Sequence, residues 1–181
     1  MNKSARQKSS KQAGNIIAKL VVHSENEYME NLSASHPFLA GMSAHHIELL
    51  ASCATLKKFA EHEVIFRIGE PANGFYLIAD GAVALQDWIS ERGTITIEML
   101  LAGEPLGWSW LFRPYRWHYH ARAIKPTTAI FFDGTTLHHL CNQDLIFGHE
   151  LFKRMSEIMV RRLQASRAKL IEALKPQKGV R

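Results

Sequence analysis

Between Leu106 and Ala123 the chain reads LGWSWLFRPYRWHYHARA. Trp108, Trp110 and Trp117 fall within ten residues of one another, together with Arg113 and Arg116. Gly107 follows an apolar run, as does a turn that brings backbone N–H groups close to an anion. A guanidinium holds carboxylate or phosphate through charge-assisted hydrogen bonds. An indole offers a flat apolar face and a single N–H donor. These residue types suit the capture of a small anionic or aromatic molecule, or the filling of a cavity by the indoles themselves, and aromatic residues in a small β-roll more often do the second. Ser109 is read either as a contact to a ligand hydroxyl or as a local cap after the turn.

His118 and His120 would share one face if the segment is a strand, the beginning of a metal set. Residues 121–132 contain no Asp or Glu to complete it, so no metal site is expected. No Ser/His/Asp order, paired-carboxylate motif, GxGxxG or P-loop is present, and the chain reads as non-enzymatic.

The elements that must carry this segment can be read from periodicity. Residues 1–14 are Lys, Ser, Gln and Gly with hardly a hydrophobe, so 1–30 reads as a disordered basic tail with a short helix over 16–29. From His36 to Ala54 apolar residues return every three or four positions, with Ser43 as N-cap. Short strand-like runs then alternate with Gly-containing turns up to Asp133-Gly134. That spacing predicts a mainly β fold, an antiparallel barrel or jelly roll with flanking helices. Thr135–Cys141 predicts a short helix and 142–174 a long amphipathic one capped by Asn142 or Asp144, with a tail at 175–181. On the long helix Phe152, Met155, Met159, Leu163, Ser166, Leu170 and Leu174 form one near-heptad stripe, which predicts pairing with a second copy.

Charge is uneven: residues 1–19 carry +5, 20–141 carry −5 and 142–181 carry +5. The basic character therefore lies at the two ends, where the plain expectation is a solubilising tail and a solvated helix face. Cys53 and Cys141 lie far apart without metal-ligand spacing and read as reduced, buried thiols of a cytoplasmic protein. No apolar run is long enough to span a membrane, and no signal peptide is expected.

The order helix, β-roll, short helix, long helix resembles cyclic-nucleotide-binding domains. Ile68–Gly81, IGEPANGFYLIADG, is similar to that family's first signature, with Phe66 standing upstream where a smaller residue is usual. Met159–Ser166, MVRRLQAS, is similar to the dimerisation helix of the Crp/Fnr (catabolite activator) branch. The resemblance covers about residues 36–174. It implies that Leu106-Gly107 opens a phosphate-binding cassette, in which the family places a Glu on the ribose hydroxyl and an Arg on the cyclic phosphate. Here Trp108 stands at the Glu position, Trp110 at a small-residue position and Trp117 at the arginine position, with Arg116 one residue early. Arg122-Ala123 falls within the allowed spacing but aligns better to a downstream strand.

The resemblance also places Arg162 and Ser166 where the branch faces the base, and Arg167 where it has a further small polar residue. The alternative is that Arg162 and Arg167 are solvated charges and Ser166 lets two helices approach. The candidate ligand contacts are thus Leu106, Gly107, Trp108, Ser109 and Trp110 in the turn, Arg116, Trp117 and His118 beyond it, and Arg162, Ser166 and Arg167 on the helix. Only seven residues follow Leu174, so no helix-turn-helix domain and no DNA binding are expected. Together these features predict a stand-alone sensor with a degenerate cassette, binding a cyclic nucleotide or another small anionic or aromatic ligand. The ligand would reposition the last helix before an unknown protein partner. The lost carboxylate and added indoles predict weak binding of cAMP or cGMP. The alternatives are a ligand-independent dimeric scaffold and a nucleic-acid-associated regulator.

Overall fold

A computed structural model of the chain describes residues 36–175. The expected N-terminal tail and its short helix, and the C-terminal tail after Lys175, lie outside the described residues. The first helix, α1 (Ala44–Ser52), is capped as expected, the Ser43 side chain accepting from the His46 amide at 3.2 Å. It buries His46 and Leu50.

Eight strands follow: β1 (Ala54–Phe59), β2 (Val64–Phe66), β3 (Gly74–Asp80), β4 (Ala82–Ile89), β5 (Gly93–Leu101), β6 (Pro105–Leu106), β7 (His120–Ala123) and β8 (Thr127–Asp133). They form two four-stranded antiparallel sheets in the orders β1-β8-β3-β6 and β2-β7-β4-β5. This is the expected β-roll. β3 and β4 are buried over Gly74–Ile78 and Ala82–Leu85 because their outer faces are covered too, which is why FYLI and AVAL read as continuous apolar runs rather than alternating ones. β5 is half exposed along its length. Gly69 and Gly81 take positive φ of 82° and 106°, as their turn positions require. His118 precedes β7 rather than lying in it, so it does not share a strand face with His120 as expected.

After β8 the chain enters α2 (Gly134–Gln143), capped by Asp133, and α3 (Leu145–Leu174), capped by Asp144. The Asp144 carboxylate accepts from the amides of Ile146 at 3.0 Å and Phe147 at 2.9 Å, so of the two candidate caps it is Asp144 that starts the helix. α3 buries Phe147, Gly148, Leu151, Met155 and Ile158 against the roll. Met155 therefore belongs to this inner stripe, whereas Leu163, Leu170 and Leu174 lie exposed on a stripe roughly 90° round the helix. The expected single stripe is really parts of two.

α3 is tied to α1 by a polar latch. His46 Nδ1 meets Glu150 Oε2 at 2.5 Å, and Arg154 donates to Glu150 Oε1 from Nη2 at 2.7 Å. The same Arg154 donates to the carbonyls of Phe38 at 2.7 Å and Ala40 at 3.0 Å, fixing the turn that leads into α1. Across the described residues no helix is long and apolar enough to cross a membrane.

Candidate functional site

The cassette turn leaves β6 at Gly107, which adopts φ +87°. It runs through a 3₁₀ turn at Ser109–Leu111 and returns beside residues 69–72. There the backbone forms a short ladder: Ala72 donates to Tyr115 O at 2.8 Å, Trp117 to Glu70 O at 3.0 Å and Gly69 to Trp117 O at 2.9 Å. Extended backbone sends successive side chains to opposite faces. Trp117 consequently points into the roll, and Arg116 points out, where it donates from Nη1 to Gly69 O at 2.6 Å.

Inside, Trp117 is 4% exposed and stacks on Phe66 with ring centroids 3.9 Å apart and planes 11° from parallel. A Cβ on Gly107 would lie 2.6 Å from Trp117 Cζ3. The bare glycine that could admit an anion here admits an indole edge. Trp108 lies half-buried at the mouth, stacked on His118 at 4.9 Å, and His118 Nδ1 is 2.8 Å from Ser109 Oγ. Trp110 sits a layer deeper, 1% exposed, parallel to Phe75 at 5.9 Å with its Nε1 unpartnered among the described residues. Leu106 is wholly buried behind the turn.

The far wall is Arg162 of α3. Its guanidinium donates to Pro105 O and lies 3.6 Å from Glu98 Oε2. Burial is the main influence on this group and lowers its pKa from the ordinary arginine value, with Glu98 and Glu104 opposing that shift. Ser166 and Arg167 lie on the exposed stretch of α3 and do not line the site.

Of the candidate residues, then, Gly107, Trp108, Ser109, Trp117, His118 and Arg162 converge. What remains between them is a cavity of about 10 Å³, room for one water at most, since a water needs at least about 10–15 Å³. Phe66, Leu85 and Tyr119 also line it. Phe66 had a signal in the sequence, being larger than its position usually allows. Leu85 and Tyr119 had none.

The site can bind or exclude, and among the described residues no catalytic constellation lines it. The Ser109–His118 pair has no carboxylate against the imidazole among the described residues, and Ser109 is buried. Cys53 and Cys141 are pushed up to about 12 and about 11 by burial, which keeps both as unreactive thiols.

Comparison with known proteins bears on this geometry. Residues 56–144 match the cyclic nucleotide-binding domain family. A cyclic nucleotide-binding protein of Geobacter metallireducens is similar at 25% identity and TM-score 0.65, with 74% of this chain and 96% of that one covered. The Thermus thermophilus catabolite activator protein is similar at 21% identity and TM-score 0.61, covering 76% of this chain and 62% of that one. A regulatory subunit of a cAMP-independent protein kinase A from Trypanosoma cruzi, bound to guanosine, shares the fold at 15% identity and TM-score 0.62, covering 86% of this chain and 54% of that one. No curated protein matches by sequence. With the roll, the signature turn and the two closing helices all in place, residues 56–144 are a domain of the cyclic nucleotide-binding family, in a chain that shares its fold with the Thermus thermophilus catabolite activator protein.

Proposed function

We propose that this chain is a regulatory domain that pairs through α3 and holds its roll closed on its own tryptophans, rather than being gated by cAMP or cGMP. The observation that carries this reading is Trp117 stacked on Phe66 over Gly107, with about 10 Å³ left beside it. Small-molecule sites ordinarily offer about 300–1,000 Å³. Chemistry points the same way. Trp108 supplies no carboxylate for a ribose hydroxyl, and Arg116 spends its guanidinium on a backbone carbonyl outside the roll.

Pairing is supported by Val160, Leu163, Leu170, Ile171 and Leu174, all at least half exposed on α3. So much unpartnered apolar surface on one helix favours a second copy. Sedimentation equilibrium of the full chain should find a dimer, and a monomer throughout the micromolar range would overturn the pairing.

A ligand-gated version requires Trp117 to swing out and α3 to follow. The guanosine-bound kinase subunit supports that version to this extent, that a domain of the same fold accepts a nucleoside. Isothermal titration with cAMP, cGMP and guanosine separates the two. Absence of saturable heat with all three is expected, while low-micromolar binding of any would replace the closed roll with the gated one.

A further inference from the structure

On the other side of Arg162 lies a second cavity, of about 310 Å³. It runs between α3, the β5–β6 turn and the turn ahead of α1. Its apolar walls are Pro37, Phe38, Pro105, Ile158 and Ala165. Its charged groups are Glu98, Glu104, Arg161 and Arg162. The volume falls at the lower end of the range for small-molecule sites, thirty times that of the roll cavity.

The charges decide what would fit. Arg162 is already compensated by Glu98 at 3.6 Å. Arg161 makes no ion pair among the described residues. Glu104 makes no salt bridge there either, acting on Arg162 only at longer range, and its Oε2 accepts the Leu101 amide at 2.7 Å. Two cationic and two anionic groups therefore face a cleft with apolar walls. An occupant carrying only negative charge would meet Arg161 but also two carboxylates. One carrying only positive charge would meet the converse. A purely apolar occupant would strip water from all four groups and give nothing back. A molecule with one carboxylate, one ammonium and a short apolar body lets Arg161 and Glu104 each gain a partner while the Glu98–Arg162 pair stays intact.

We infer that this outer cleft is a binding site for a small zwitterion of the amino-acid class, its carboxylate on Arg161, its ammonium on Glu104 and its apolar body against Phe38 and Ile158. Because Arg161 and Ile158 belong to α3 and Phe38 to the latched turn, such a ligand would bear on the α1–α3 packing without entering the roll. The assignment does not depend on whether the roll takes a nucleotide.

The test is calorimetric titration of the full chain with L-leucine, L-methionine and L-phenylalanine, alongside isocaproate and isopentylamine as one-charge analogues of leucine. At least one amino acid should bind saturably, with both analogues at least about tenfold weaker. Arg161→Gln and Glu104→Gln should each weaken that binding by about tenfold or more, and Arg92→Gln, on the exposed β4–β5 turn, should leave it unchanged. Gln at position 104 can still accept the Leu101 amide, and position 161 is exposed, so both variants should retain the wild-type melting temperature. The site assignment is overturned if none of the three amino acids binds, or if Arg161→Gln binds as wild type. Isocaproate or isopentylamine binding as tightly as leucine overturns the zwitterion.

Discussion

Two cavities flank Arg162, and they were closed and kept open by different physics. On the roll side the space is filled by aromatic carbon: Trp117 on Phe66 at 3.9 Å, with Trp108 on His118 at 4.9 Å at the mouth. On the α3 side the walls stand apart, and the lining carries Glu98, Glu104, Arg161 and Arg162. Large flat side chains close a gap by dispersion and burial, and gain most when no space is left. Charged side chains resist such closure, because bringing them together without water costs more than the contact returns unless each is paired. The position that the resemblance assigns to the ligand is thus packed as core, while the cleft next to it keeps open space and charge.

The sharpest way to break this contrast is to remove the plug. Trp117→Ala should destabilise the domain by about 3–5 kcal/mol, as truncation of a fully packed aromatic does. Chemical denaturation of the full chain measures it. A loss below about 1 kcal/mol would mean that the ring is not packed as described. Gly107→Ala adds a second, smaller effect with two sources, the positive φ, which costs a non-glycine residue about 1–2 kcal/mol, and the 2.6 Å approach to Trp117. Only the second source vanishes when Trp117 is already Ala. The double-mutant cycle should thus show coupling of about 1 kcal/mol or more, and strict additivity would deny that the glycine serves the indole.

Some of this was legible in the sequence and some was not, for identifiable reasons. Caps are local, so Ser43 could be named from its neighbours alone and the cap of the long helix narrowed to Asn142 or Asp144. The turn glycines and the short apolar runs are local as well, and they yield the roll. That Trp117 faces in and Arg116 out also follows from strand alternation, once the ladder with residues 69–72 is known, but the ladder joins positions 43 or more residues apart and has no local signature. The two stripes of α3 overlap at Met155, so periodicity alone merged them. Arg162 could be placed near the pocket by resemblance, yet its partners Pro105 and Glu98 come from the distant strands β6 and β5. The outer cleft is assembled from four separate segments, none of which looks like a site by itself.

The smallest expected effect concerns pH, and it distinguishes the two sides directly. The roll side contains no carboxylate in its lining, so the Trp117–Phe66 stack at its centre has no carboxylate charge to lose on acidification. The outer side depends on the latch that holds the Phe38 turn. There the Asp144 carboxyl is held below its ordinary value of 3.8, chiefly by the Phe147 amide, with Ile146, His46 and His45 adding to it. For Glu150 burial pushes upward, but Arg154 and His46 together outweigh it and leave the group below its ordinary 4.5. Carboxyls depressed in the folded state contribute stability that is complete above their unfolded values and lost as pH falls through the folded ones. Between about pH 7 and 5 the melting temperature should therefore show no contribution from these two carboxyls, and below about pH 4.5 it should fall. Glu150→Gln removes one of the two carboxyls while keeping an oxygen for Arg154. Its deficit relative to wild type should be constant above about pH 5 and shrink below about pH 4.5, as wild type loses the same charge. A deficit that does not change with pH would show that Glu150 acts through its shape and not its charge, and that the outer wall is packed as the roll is.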